Sequence, residues 1–98
     1  MDNNDNFGFI FDNMTRNYAR VETLLENLYQ HIQANPSDEA AISFLQELGS
    51  VAKEMIHSQI EFTSAYCDKS LRDNLIDKLV DKETALANAL EETRGRSR

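Results

Sequence analysis

From Phe7 to Ile32 the chain reads FGFIFDNMTRNYARVETLLENLYQHI, and within it Phe7, Phe11, Met14, Tyr18, Val21, Leu25, Leu28 and Ile32 are spaced 4, 3, 4, 3, 4, 3, 4. That spacing puts all eight side chains on one stripe of an α-helix and leaves a strand no alternating pattern to follow. A stripe this regular packs lengthwise on another helix. Its beginning is less helical than its middle: Asn6, Gly8 and Asn13 are weak helix formers. The ordered helix is therefore expected to start near Phe11 or Asp12, with Asp12 as N-cap. Residues 1–6, with two Asp and three Asn, read as a flexible acidic arm.

C-terminal to the stripe, Asn35-Pro36-Ser37-Asp38 interrupts the periodicity. Proline disfavours a helical conformation at the residue before it but suits the first turn of a new helix. Asn35 is the expected N-cap of a second helix with Pro36 at its first position, and so short a connection predicts an antiparallel helical hairpin.

The second helix is expected from Pro36 to about Tyr66, with one seam through Ala41, Leu45, Leu48, Ala52, Met55, Gln59, Phe62 and Tyr66. Ile42, Phe44, Val51, Ile56 and Ile60 flank that seam, so the helix needs neighbours on two sides and should sit at the centre of the fold. Gly49 and Ala52 make a small-residue patch for the close approach of another backbone, unless Gly49 is simply tolerated, and Gln59, the polar member of the seam, either fixes register from a buried place or, as is commoner, faces water at the rim.

No Gly or Pro marks the next boundary, but the seam steps forward from Tyr66 to Lys69 and Asp73, whereas the actual run is Ile76, Leu79, Glu83, Leu86 and Leu90. This change of phase, with Ser70-x-x-Asp73 as an approximate capping box, places a break at residues 67–70. The alternative is a single helix of over fifty residues that requires a dimer to cover it. The predicted fold is all-α: an antiparallel helical hairpin with a third C-terminal helix, one domain over residues 1–98, completed by oligomerisation and ending in a flexible basic tail, residues 94–98.

Charge narrows the function classes. Residues 1–36 hold five acids and two bases, residues 37–66 five acids and one base, and residues 67–98 seven of each, in keeping with the net −7. Such a surface repels nucleic-acid phosphates. A DNA-associated regulator would have to rely on the tail from Arg94 to Arg98. The longest apolar cluster, Phe7 to Phe11, falls far short of the roughly 20 residues a membrane span takes. A lone cysteine, Cys67, and the lack of a signal-peptide pattern point to the cytoplasm.

Few residues suggest chemistry. Glu54-x-x-His57, extended by Glu61, has the spacing of di-iron carboxylate bundles, which makes a dimeric metal-binding bundle the alternative reading. Both acids fall one position off the seam, however, so no metal or other cofactor is expected. No nucleophile, base or phosphate-binding loop is recognisable, and the chain is read as a non-enzyme.

The remaining candidates are surfaces. Phe7, Phe9, Ile10 and Phe11 are four large apolar residues in five, a peg for a partner's groove or a cap on the chain's own bundle; Phe44, Val51, Ile56 and Ile60 lie off the main seam. These eight are the expected partner-binding residues of a small cytosolic chaperone, adaptor or sequestering regulator. A protein partner is expected, as a homodimer or in a heterocomplex, with no nucleic acid and no membrane. The turn Asn35-Pro-Ser-Asp38 between amphipathic helices resembles that of type III secretion needle subunits, which suggests an association with secretion. Glu39 stands where that pattern has a second proline and the third segment is additional, so the resemblance assigns no family.

Overall fold

The computed structural model describes the backbone of residues 3–96 and the surroundings of side chains 6–93. Three α-helices, α1 (Asn3–Ala34), α2 (Glu39–Tyr66) and α3 (Lys69–Arg96), run antiparallel in sequence order. There is no strand among the described residues. The helices form an elongated bundle of 54 × 19 × 15 Å. α2 packs on both α1 and α3, while the backbones of α1 and α3 do not adjoin. The central position expected for the second helix is correct.

The heptad of α1 holds along its whole length. Tyr18, Leu25 and Ile32 are buried, and Phe7, Phe11, Met14, Val21 and Leu28 are half-buried. The helix nevertheless begins at Asn3, well ahead of Asp12, so Asp12 is no N-cap and the stretch assigned to an arm is helical from Asn3 onward; Met1 and Asp2 lie outside the described residues. Tertiary packing overrides weak propensity here. The ring of Phe7 stacks on Phe62 of α2, with centroids 5.1 Å apart and planes 4° from parallel, and Phe11 lies 5.4 Å from Phe7. At the other terminus α3 continues as helix through Arg96; residues 97 and 98 and the side chains of 94–98 lie outside the described residues.

At the first turn the capping roles differ from expectation. Asn35 closes α1 instead of opening α2: its backbone N–H donates to the His31 carbonyl at 2.9 Å and its side-chain amide to the same carbonyl at 3.0 Å. Asp38 is the N-cap of α2, its Oδ1 accepting from the Ala41 N–H at 3.1 Å. A carboxylate at this position satisfies one of the free N–H groups of the first turn and faces the positive end of the helix dipole. Its other oxygen, Oδ2, lies 2.8 Å from His31 Nε2. The hydrogen bond from His31, followed by that from Ala41, holds the Asp38 carboxyl below its ordinary pKa.

The second turn falls within the interval the sequence indicates. Cys67 leaves the helix in an extended conformation, φ −79° and ψ 144°, and its N–H still donates to the Thr63 carbonyl. α3 then starts at Lys69, one residue before Ser70. Ser70 therefore lies inside the first turn, its hydroxyl donating to the Asp68 carboxylate, and the Asp68 carbonyl accepts from Leu71 and Arg72.

Along α2 the buried positions are Leu45, Gly49, Ala52, Ile56, Gln59 and Thr63, spaced 4, 3, 4, 3, 4. This line shares Leu45, Ala52 and Gln59 with the expected seam and is rotated toward α3. Leu48 and Met55 flank it half-buried, and Tyr66 is 67% exposed. Each fully buried aliphatic side chain, such as Leu45 or Ile56, contributes about 2 kcal/mol. Gly49 admits a side chain, not a backbone: the methyls of Leu90 on α3 come within 2.6 Å of where a Cβ would stand. Gln59 is also corrected. It is 3% exposed and donates to Thr15 Oγ1 at 2.9 Å and to the Phe11 carbonyl at 3.4 Å. A buried amide without partners costs several kcal/mol, and these two bonds across the α1–α2 interface are what allow it inside.

Candidate interaction surface

Three grooves run along the bundle, and the one outside the α2–α3 pair is lined mainly by polar and charged side chains, Lys53, Glu54, His57, Glu61 and Glu83 among them; the other two are more apolar. Of these two, the first lies between α1 and α3 over Leu45, has a volume of about 230 Å³ and is walled by Tyr18, Leu25, Tyr29, Leu86 and Leu90. It is bridged from within the chain. The Tyr29 hydroxyl donates to the Ala89 carbonyl at 3.0 Å, and Lys82 Nζ sits 5.3 Å from the centre of the Tyr18 ring, a cation–π contact. Burial first, and Glu22 second, raise the Tyr18 phenol above its ordinary pKa, so the ring is a neutral wall.

The second groove follows the outer side of the α1–α2 pair and is not bridged in this way. Met14, Asn17, Val51, Glu54, Met55 and Ser58 line its middle, and Asn6, Phe7, Ile10, Phe62, Ala65 and Tyr66 line its end. Heptad spacing extends both walls. On α1, Ile10, Asn17 and Leu24 are seven residues apart; on α2, so are Phe44, Val51, Ser58 and Ala65. Of the large apolar side chains most exposed among the described residues, Ile10, Leu24, Phe44, Val51 and Tyr66 belong to this face. Phe9, 61% exposed, points to the back of α1, while Leu71 and Val80 stand apart on α3.

The expected partner-binding residues divide accordingly. Ile10, Phe44 and Val51 come together on the α1–α2 face, and Phe9 is exposed but turned away from it. Phe7 and Phe11 are committed to the aromatic contact with α2, so the cap describes them better than the peg. Ile60 is half-buried against the core. Ile56 does not belong to any surface: it is 1% exposed and sits in the middle of the buried line of α2. Its assignment is corrected because the line that faces both neighbours is rotated from the expected seam and passes through it.

Leu24 and Tyr66 are surface residues that the sequence reading left out. Leu24 carried a usable signal, since in the pair Leu24-Leu25 only one side chain can point along the stripe. Tyr66 gave none, because it fits the seam and is exposed only by its place at the end of the helix.

The side chains considered for chemistry do not converge. His57 Nδ1 lies 3.3 Å from Glu83 Oε2 of α3, and among the described residues no group of three His, Cys, Asp or Glu gathers around a metal position. Cys67 is buried. No helix is long and apolar enough to cross a membrane among the described residues. Comparison with protein-family models, with curated proteins and with solved structures gives no match, so the functional reading rests on this geometry.

Proposed function

We propose that this chain is a non-enzymatic interaction protein, a small cytosolic chaperone, adaptor or sequestering regulator of the kind that accompanies secreted proteins, and that it holds its partner by helix-to-helix contact on the outer α1–α2 face. The observation that carries this reading is the row of exposed Ile10, Leu24, Phe44, Val51 and Tyr66 along one groove of a bundle that already has a filled core. Scattered apolar side chains are ordinary on a protein surface, but an apolar strip following one groove is what a partner helix covers. The acidic charge of residues 1–66 supports a protein over a nucleic acid.

The test is affinity capture from a native lysate with the wild-type chain and with Val51→Asp as baits. Val51 is 48% exposed, so the variant is expected to keep the helical circular-dichroism spectrum. Proteins retained by the wild type and lost with Val51→Asp support the reading; identical capture by both baits overturns it.

A further inference from the structure

The two walls of the α1–α2 groove differ in charge. On α1, Ile10, Asn17 and Leu24 are each followed three residues later by Asn13, Arg20 and Asn27, which form the exposed rim of that wall. Glu22 and Glu26 of α1 line the groove with α3 instead, and Asp12 stands two heptads before Glu26 on the same row. On α2, Phe44 and Val51 are followed in the same way by the exposed Glu47 and Glu54. Glu61, next on that row, lines with Lys53 the groove outside the α2–α3 pair. Among the described residues, the ion pairs of the chain are His31 with Asp38 and His57 with Glu83, neither of which uses Arg20, Glu47 or Glu54. The levels of these residues are fixed by Asn17 and Glu54, which line the same part of the groove. Arg20, almost one turn further along α1, stands level with the stretch of α2 between Glu47 and Glu54, and Leu24 stands level with Glu47, between Phe44 and Val51.

We infer that in the free protein the α1–α2 face is covered by a second copy of this chain, related by a twofold axis that runs along the helices, with α1 of each copy laid on α2 of the other. An axis in this direction keeps every residue at its own level. It brings Arg20 between the second copy's Glu47 and Glu54, and the exposed Leu24 between the second copy's Phe44 and Val51. The other twofold arrangement, with the axis across the helices, lays α1 on α1 and α2 on α2 and sets one glutamate rim against the other. The chain's net −7 resists self-association through most faces. This face escapes because its two walls differ in sign, and opposite charges on facing rims steer association and fix its register. The inference rests on the interaction reading above: the partner of that reading binds by displacing the second copy.

Light scattering of the full chain across the micromolar range is expected to show a dimer, and Val51→Asp a monomer. Arg20→Glu in one chain, and Glu47→Lys with Glu54→Lys in another, are each expected to keep the helical circular-dichroism spectrum and to weaken the dimer at least about tenfold. Mixed in equal amounts, these two charge variants are expected to form a heterodimer of near wild-type affinity, because each presents the sign its counterpart lacks. A wild-type monomer overturns the inference. If lysate proteins are still lost with Val51→Asp in that case, the interaction reading stands with a different chain as occupant; identical capture by both baits removes that reading as well. A dimer indifferent to Val51→Asp is formed on another face and overturns the inference. Charge variants that dimerise as tightly as the wild type, or that do not recover on mixing, overturn the pairing of α1 with α2.

Discussion

Toward the turn that joins α1 to α2 the interior is filled by Leu25, Ile32, Leu45, Leu86 and Leu90, with Leu90 pressed onto Gly49. Toward the turn that joins α2 to α3, Gln59 bonds to Thr15 across the interface, Thr63 returns its hydroxyl to the Gln59 carbonyl, and Arg72 donates to the carbonyl of the buried Cys67. The first end gains free energy from every ångström of contact. The second gains little, because each polar group must recover inside the protein the hydrogen bonds it gave up in water. It is closed instead by the aromatic contact of Phe7 with Phe62, and its guanidinium is not fully satisfied: Arg72 Nε is buried without a partner. One sequence thus builds an end that supplies stability and an end that supplies alignment. A polar layer penalises a shifted register far more than leucines do.

The contrast can be tested by substitution. Leu45→Ala at the leucine end is expected to cost about 2–5 kcal/mol in urea unfolding, the range for a fully buried leucine. A loss below about 1 kcal/mol would show that this end is loosely packed. Gln59→Leu at the polar end is expected to cost less, about 1–3 kcal/mol, since it leaves the Thr15 hydroxyl without the side chain that donates to it. Adding Thr15→Val should recover most of that loss while lowering the uniqueness of the packing, visible as broadened amide resonances. A double variant no better than Gln59→Leu alone would deny the polar layer its role in register.

Gly49→Ala sets about 1 kcal/mol of gained helix propensity against the displacement of Leu90, where overpacking costs about 1–3 kcal/mol. A net loss of about 1 kcal/mol is expected, converted to a gain when measured on a Leu90→Ala background. Additive effects of the two substitutions would place Leu90 elsewhere. Phe7→Ala should cost about 1 kcal/mol, with faster amide exchange confined to the first turns of α1.

The smallest effect concerns the first turn. Because Asp38 has its pKa lowered in the folded state, its contribution is present at neutral pH and is lost as pH falls through the folded value, below the ordinary carboxylate pKa. The stability difference between wild type and Asp38→Asn, which keeps a capping side chain, should therefore shrink toward zero in acid. A difference that persists unchanged at pH 2 would remove the carboxylate from the account.

The stripe from Phe7 to Ile32, the proline turn and the phase change after Tyr66 are written in the spacing of apolar residues, which is why the three helices and both connections were legible. Two features escaped because they depend on partners distant in sequence. Asn3 to Phe11 is helical on account of Phe62, and Gln59 is buried on account of Thr15 and the Phe11 carbonyl. The exposed apolar α1–α2 face was legible by half. Phe44 and Val51 stood out as apolar residues off the seam and Ile10 as part of the Phe7–Phe11 cluster, but telling Val51 outside from Ile56 inside requires knowing at what angle two neighbours share one helix, and a single seam does not contain that angle.

Because α1 and α3 each pack on α2 and their backbones do not adjoin, every interhelical contact between backbones joins elements that are consecutive along the chain. Neither hairpin has to wait for the other, and each closes over a short connection. Low contact order of this kind places folding in the microsecond to millisecond range. The transition state should be centred on α2, the element both hairpins share, with α1 and α3 free to dock in either order.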